Sequence, residues 1–252
     1  MATLYVIGTP IGNLEDITLR ALKVLSDVDL VLCEDTRVTK RLLDRHGIKT
    51  PTMSYHAHSK LSKVEHIIGL LEEGKNLALV SDAGTPGVSD PGAELVARIA
   101  DGHVSAQLLK SDDDCHHFAE AVKIEAVPGP SALTAAISVA GVPIIDGFTF
   151  LGFLPHKKGR ETLFKEITAM KRPAVFYESP HRLMKTLGSL EKHLTCPVSA
   201  AAADLPKKVT ICRELTKVFE EVVSGTAAEV AAHFTAHPDK VRGEFVVIVS
   251  EQ

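Results

Sequence analysis

Short apolar runs alternate with amphipathic stretches along the first 140 residues. Residues 4–8, 30–33, 77–81 and 124–127 read as buried strands, and 52–56 as a shorter one. Helix-period segments lie between them. The first is opened by Asp16 and carries Leu19, Leu22 and Leu25 at i+3 spacing. A basic helix over 36–46 closes at Gly47, and a further helical stretch over 60–73 closes at Gly74. Asp90-Pro91 pairs a capping acid with a proline at the first helical position, opening a helix that runs to about Ala100 and stops at Gly102. Ser131 opens a helix to Ala140. Strand alternating with helix predicts an α/β fold with a mostly parallel sheet covered on both faces.

The segment Gly141-Val142-Pro143-Ile144-Ile145-Asp146-Gly147 has no periodicity and is the best linker candidate. Beyond it the alternation restarts. Strands are expected over 148–154, 174–177, 209–213 and 245–249, with helices over 160–170, 180–193 and 227–237. Two α/β domains of unequal size follow, 1–142 and 143–252.

The 252 residues suit one large domain or two modest ones. With 45% hydrophobic and 24% charged residues the chain is neither disordered nor fibrous. No apolar run reaches the ~18–20 residues of a membrane span, and the start has no basic stretch or cleavage signal, so no secretory leader is expected. Cys33, Cys115, Cys196 and Cys212 form no CxxC pair, which fits a reducing cytoplasm. The absence of Trp and only 5% aromatics argue against extended base-stacking platforms.

The net charge of −4 first reads as evidence against a nucleic-acid partner. Its distribution reverses that. Residues 35–49 hold five basic and two acidic side chains, net +3, and residues 155–172 hold six and two, net +4, leaving −11 elsewhere. Two basic helical segments would meet a phosphate backbone while the acidic remainder keeps the protein soluble.

Three features mimic known sites. Gly69-Leu-Leu-Glu-Glu-Gly74-Lys75-Asn76 approaches a phosphate-binding loop, but it closes a helix and has Asn76 where a hydroxyl is needed. Gly87-Val-Ser89-Asp-Pro91 approaches a nucleophile elbow, with its second glycine displaced to Gly92. Asp112-Asp113-Asp114-Cys115-His116-His117 has metal-ligand residue types but no ligand spacing, and no metal is expected.

The informative chemistry is in three glycine- and proline-rich loops, each after an expected strand: 8–13, 81–92 and 128–132. In an open parallel sheet, ligands bind beyond the carboxyl ends of the strands. Such loops need backbone that can approach a ligand closely. Asp82 and Asp90 can accept hydrogen bonds from hydroxyl or amino groups. The helix starts at Asp90 and Ser131 can hold a carboxylate. A compact polar ligand without an obligatory phosphate grip is implied.

These residues carry a resemblance. Residues 81–92 resemble the signature of the S-adenosylmethionine-dependent tetrapyrrole-methylase superfamily. Leu4-Tyr-Val-Ile-Gly-Thr-Pro-Ile-Gly-Asn-Leu14, Glu34-Asp-Thr-Arg37, Pro128-Gly-Pro-Ser-Ala132, Tyr177-Glu-Ser-Pro-His-Arg182, Arg213-Glu-Leu-Thr-Lys217 and Gly243-Glu-Phe-Val246 match in family order. Residues 34–37 and 177–182 point to its ribosomal RNA branch. The resemblance implies a parallel-sheet N-terminal domain, a smaller mixed-sheet C-terminal α/β domain, and S-adenosylmethionine in the cleft between them. It implies 2′-O-methylation of a cytidine ribose in small-subunit ribosomal RNA by a homodimer.

Carried over by motif, Thr9, Pro10 and Gly12 would bind the donor, with Asp82, Ala83, Gly84, Thr85, Val88, Ser89 and Asp90. Pro128, Ser131 and Ala132 would complete that set, with Tyr177, Glu178, Ser179 and Pro180 from the second domain. A ribose hydroxyl is a poor nucleophile, so a base or a cation should assist. The candidates are Glu34, Asp35 and Arg37 at a strand end, and Arg213, Glu214 and Lys217. Glu178 and Arg182 equally suit a structural pair at i, i+4. The chain departs from the family over 103–123 and 195–208, which are longer than usual; the first, joining a helix end to a strand start at the sheet edge opposite the donor loops, is expected to be decoration. Competing readings are a tetrapyrrole C-methyltransferase of the same fold, a non-catalytic ribosome-assembly factor and, more remotely, a hydrolase built on Ser89.

Overall fold

The computed structural model describes residues 2–56, 59, 61–90, 92–100, 122–194 and 206–251. Cys115, Cys196, the acidic stretch 112–117 and most of the two long segments lie outside them, as does Pro91. The chain forms two compact units, Met1–Ser131 and Ala132–Gln252.

The first unit is built on five parallel strands: β1 (Ala2–Ile7), β2 (Leu30–Cys33), β3 (Thr52–Ser54), β4 (Leu77–Leu79) and β5 (Val122–Val127). Their order is β3-β2-β4-β1-β5. Helices α1 (Leu19–Asp27), α2 (Thr36–Arg45), α3 (Leu61–Glu72) and α4 (Gly92–Ala100) connect them. A sheet covered on both faces needs two apolar layers. One gathers Leu4, Leu32, Leu77 and Leu79 with Ile67, Leu71, Leu95 and Ile99. The other gathers Ile7, Val31, Cys33 and Ala78 with Ala21, Leu25, Leu42 and Leu43.

Several expected boundaries move: β1 covers Ala2–Ile7 where 4–8 is expected and β4 only Leu77–Leu79 where 77–81 is expected, and two further shifts have a visible cause. Asp16 does not open α1; it ends a short 3-10 turn over Leu14–Asp16, and Thr18 caps α1 by accepting from the Ala21 amide. Leu19 consequently faces outward, 86% exposed. Strand β5 begins at Val122, two residues earlier than its apolar run suggests, because Lys123 pairs in register beside Thr3.

The second unit opens with α5 (Ala132–Val139), followed by β6 (Thr149–Phe153), α6 (Arg160–Ala169), β7 (Ala174–Glu178), α7 (Pro180–Leu194), β8 (Lys207–Arg213), β9 (Glu221–Gly225), α8 (Ala227–Ala236) and β10 (Phe245–Glu251). Its sheet runs β6-β7-β10-β8-β9 and is mixed, with β6/β7 parallel and the other pairs antiparallel. Its core centres on Phe164, Phe176 and Phe234, each essentially inaccessible. The compact division and the expected boundary at 142/143 differ by α5. That helix packs on β10, and its Ala136 carbonyl accepts from the Cys212 thiol at 3.8 Å. No helix among the described residues is long and apolar enough to cross a membrane.

Strand β9 has no apolar run to announce it. It is an edge strand whose residues alternate half-buried and exposed, the pattern of a one-sided antiparallel ladder. Helix α8 after it is fixed by a capping box between Thr226 and Glu229.

Candidate functional site

In the first unit the ends of β1, β4 and β5 are stitched together by their own loops. The Thr9 and Gly84 backbones exchange hydrogen bonds at 2.9 and 3.1 Å. The Thr9 hydroxyl donates to the Ser81 and Gly84 carbonyls, and Ser81 Oγ also donates to Gly84 O at 3.1 Å. Thr85 Oγ1 reaches the Pro130 carbonyl at 3.1 Å, tying the loop after β4 to the loop after β5. Gly8 and Gly129 touch through their backbones: a Cβ on Gly129 would lie 2.5 Å from Gly8 O. Glycine is required at that crossing because nothing larger than hydrogen fits.

The middle loop closes on itself. Gly84 and Gly87 hold φ of +87° and +88°, and Ser89 adopts +65°. A non-glycine residue there carries local strain of about 1–3 kcal/mol. That bend lets the Asp90 carboxylate accept from the Gly87 amide at 2.9 Å and the Gly92 amide at 2.7 Å, capping α4. Asp90 thus works as the expected helix cap. Ala83 and Ser89 are exposed on this loop, Val88 is half-buried, and Pro10 lies buried beside an exposed Gly12. Pro128 is exposed and Ser131 half-buried, while Ala132 begins α5. Gly74 is a helix terminator at φ +85°, not a phosphate loop.

Strand β2 ends beside this loop. Asp35 caps α2, and its amide donates to Asp82 Oδ1 at 2.9 Å. The Arg37 side chain and amide both donate to the Asp35 carboxylate and hold it down at about 2. Arg37 is therefore already engaged in an ion pair. Glu34 is different. Its half-buried carboxylate has no hydrogen-bond partner among the described residues, and burial, then Asp82, then Asp90 push its pKa up. A carboxylate facing two others is a poor neighbour for an anion and a good one for a cation.

The sign of that shift gives a test. A raised folded-state value means that the charged form opposes folding at neutral pH, and the opposition disappears as pH falls through the raised value. Glu34→Gln is therefore expected to raise the thermal midpoint slightly at pH 7.5 and to change it little at pH 4. The gain stays under about 1 kcal/mol, because the site is open enough for solvent screening. Thermal unfolding of both proteins at both pH values measures it; a variant weakened at pH 7.5 contradicts the assignment.

In the second unit the sequence-derived residues serve mainly to brace. Glu178 is 2% exposed. Its carboxylate pairs with Arg182 Nε at 2.7 Å and accepts from Thr186 Oγ1 at 2.5 Å and the Ser179 amide at 2.8 Å. Arg160 approaches it at 3.6 Å and donates to Thr186 at 2.6 Å. The structural pair at i, i+4 is thus present, and Glu178 is fully committed within its own unit. Arg160 was not legible as its partner, because it lies on the helix before β7 and reads as one more cation of a basic segment. The half-buried Ser179 and Pro180 form the turn that Glu178 holds, and Tyr177 packs edge-on against Phe150 at 5.1 Å.

Arg213 is buried and donates to the Arg242 and Phe219 carbonyls. Glu214, at φ +50°, accepts from Lys217 Nζ at 2.9 Å and the Glu244 amide at 3.0 Å. Burial opposes the Glu214 charge, but Lys217 and the Glu244 backbone outweigh it and lower its pKa. Lys217 also reaches Glu244 at 2.8 Å. This trio fixes the loop that follows β8. Both described cysteines, Cys33 and Cys212, are free and buried; burial pushes the Cys212 thiol up to about 12, far from a nucleophile.

A family model described as Tetrapyrrole (Corrin/Porphyrin) Methylases matches residues 3–110 and 111–231. The chain is 41% identical over 250 residues to ribosomal RNA small subunit methyltransferase I of Thermotoga maritima, covering 99% of both chains. It is 42% identical over 247 residues to the protein of that name from Mesorhizobium japonicum, covering 98% of this chain and 74% of that one. Two solved structures share the fold. The methyltransferase CobJ has a TM-score of 0.66 at 18% identity, covering 100% of this chain and 95% of that one. The cobalt precorrin-4 methyltransferase CbiF has 0.61 at 18%, covering 98% and 94%.

Proposed function

The chain belongs to the tetrapyrrole (corrin/porphyrin) methylase family, and from that premise we propose that it transfers the methyl group of S-adenosylmethionine to a cytidine ribose 2′-O in small-subunit ribosomal RNA. The 41% identity along the full length of the Thermotoga maritima ribosomal RNA methyltransferase carries this reading. The corrin methyltransferases resemble the chain at only 18% identity, a likeness of fold alone. A homodimer working in the cytoplasm completes the reading; free, buried Cys33 and Cys212 fit that reducing compartment.

The residues suit a cationic donor. Glu34, Asp82 and Asp90 put three carboxylates near one another, and a positive charge among them relieves their repulsion. Thr9, Gly84 and Thr85 are held in a fixed loop set, with backbone close enough to line a compact ligand. We assign donor binding to these loops; in the second unit Glu178 holds the turn that carries Ser179 and Pro180.

When bound, S-adenosylmethionine supplies an electrophilic methyl on a sulfonium that departs as a neutral thioether. The protein's main contribution is alignment. Glu34 is our choice of base. Its raised pKa brings it closer to neutrality, where a general base works best, and its carboxylate is uncommitted among the described residues. It would take the 2′-hydroxyl proton as that oxygen becomes the nucleophile towards the donor's methyl group.

Radiolabelled S-adenosylmethionine offered with immature small ribosomal subunits is expected to label a ribose 2′-O, with no label in a corrin precursor. Glu34→Gln is expected to lower kcat at least tenfold, on top of the weaker donor binding that follows from removing one of the three carboxylates. Label in the macrocycle, or donor binding without any transfer, overturns the reading.

A further inference from the structure

The two basic segments are not equivalent once folded. In the second, Arg160 is buried against Glu178 and Thr186, while Lys157, Lys158, Lys165, Lys171 and Arg172 stay exposed. Helix α2 keeps its charge outside. Arg37, Lys40, Arg41 and Arg45 are exposed on it, Lys49 is exposed just beyond, and Thr39, Leu42 and Leu43 face the core.

The spacing is regular. Arg37, Arg41 and Arg45 recur every four residues, which puts them on one stripe with an axial rise of about 6 Å per step. That is of the order of the interval between successive phosphates on a nucleic-acid strand. Arg37 is engaged by Asp35 at 2.6 Å. Lys40, Arg41, Arg45 and Lys49 have no carboxylate partner among the described residues, although Asp44 sits exposed within the same helix. Lys40, Arg41, Arg45 and Lys49, with Asp44 the one acidic side chain among them, repel one another in the free protein, and a partner carrying regularly spaced anions removes that cost.

The ridge also starts in the right place. Its first residue follows Asp35, whose amide is bonded to Asp82 on the loop after β4. A strand lying along α2 therefore has one end at the carboxylate cluster.

We propose that the exposed ridge of α2, through Arg41 and Arg45 with Lys40 and Lys49 beside them, is a docking rail for the phosphate backbone of the RNA that carries the target nucleotide. This rests on the RNA-methyltransferase reading above and adds to it the surface that holds the substrate. A cationic side chain on a phosphate releases counterions, so binding through the rail falls with salt in proportion to the contacts made.

The test compares wild type, the double variant Arg41→Gln/Arg45→Gln, and a control that removes equal charge from the exposed face of α7, Lys185→Gln/Lys192→Gln. Binding to immature small ribosomal subunits is titrated over a range of salt, and S-adenosylmethionine binding is measured by calorimetry. The rail variant is expected to lose about 1.5 from the log–log salt slope and about tenfold in subunit affinity near physiological salt, with donor affinity unchanged. The control is expected to keep the wild-type slope. A rail variant with wild-type slope overturns the proposal, as does a control that falls equally far, since that reports only net charge. Wild-type protein that binds donor but leaves the subunit unbound and unlabelled fails the parent reading, and the rail with it.

Discussion

Gly129→Ala is expected to lose donor binding and part of the stability of the first unit together. Its new methyl would sit 2.5 Å from the Gly8 carbonyl oxygen and 2.8 Å from its carbon. Both are backbone atoms just beyond β1, so no side chain can swing aside. The loops after β1 and β5 must part, and the Thr9–Gly84 and Thr85–Pro130 hydrogen bonds hold them in place. Overpacking of this kind costs about 1–3 kcal/mol, and donor affinity should fall at least tenfold. Gly188→Ala is the contrast. Gly188 lies inside α7 with nothing within 4 Å of a built Cβ, so alanine should stabilise by roughly 0.5–1 kcal/mol through helix propensity. Thermal unfolding and calorimetric titration of S-adenosylmethionine measure both. Wild-type donor affinity in Gly129→Ala contradicts the argument.

Glu178→Ala should be the most damaging single change in the second unit. It leaves the buried Arg160 and half-buried Arg182 guanidinium groups without their carboxylate, and strips Thr186 and the Ser179 amide of an acceptor. Removing one partner of a buried ion pair costs about 3–5 kcal/mol, a large share of the ~5–15 kcal/mol that holds a typical domain. Glu178→Gln keeps an acceptor but not the charge, and should fall between alanine and wild type. Urea unfolding followed by far-ultraviolet circular dichroism gives the values. Loss of less than about 1 kcal/mol in the alanine variant would mean that the network is ornamental. The effect on catalysis should be indirect: Arg182 holds the Leu154 carbonyl and Arg160 the Pro155 carbonyl, so the turn at Ser179 and Pro180 loses its support from three segments at once.

The strands of the first sheet were legible because a parallel sheet buries both faces of each strand and leaves an unbroken apolar run, as over Leu30–Cys33. Strand β9 was not, since an edge strand in an antiparallel ladder has only one face to bury. Asp16 and Thr18 are both competent caps two residues apart, and only the backbone decides between them. In the candidate site, the three loops could be recognised by their glycines, but the reason for Gly8 and Gly129 could not: their contact joins residues 121 positions apart. The same holds for Arg160. In sequence it counts as one more surface cation; folded, it answers Glu178 from another helix.

The hydrogen bond from the Asp35 amide to Asp82 has a mechanical consequence. An α-helix is stiff along its axis, and this bond clamps the end of α2 to the loop after β4. A load applied at Arg45 is therefore transmitted to Asp82 with little slack. If RNA on the rail alters the affinity of the loop proposed to hold the donor, thermodynamic reciprocity requires donor binding to alter the grip on RNA by the same factor. One backbone amide is the direct link through which the two neighbouring surfaces can be coupled.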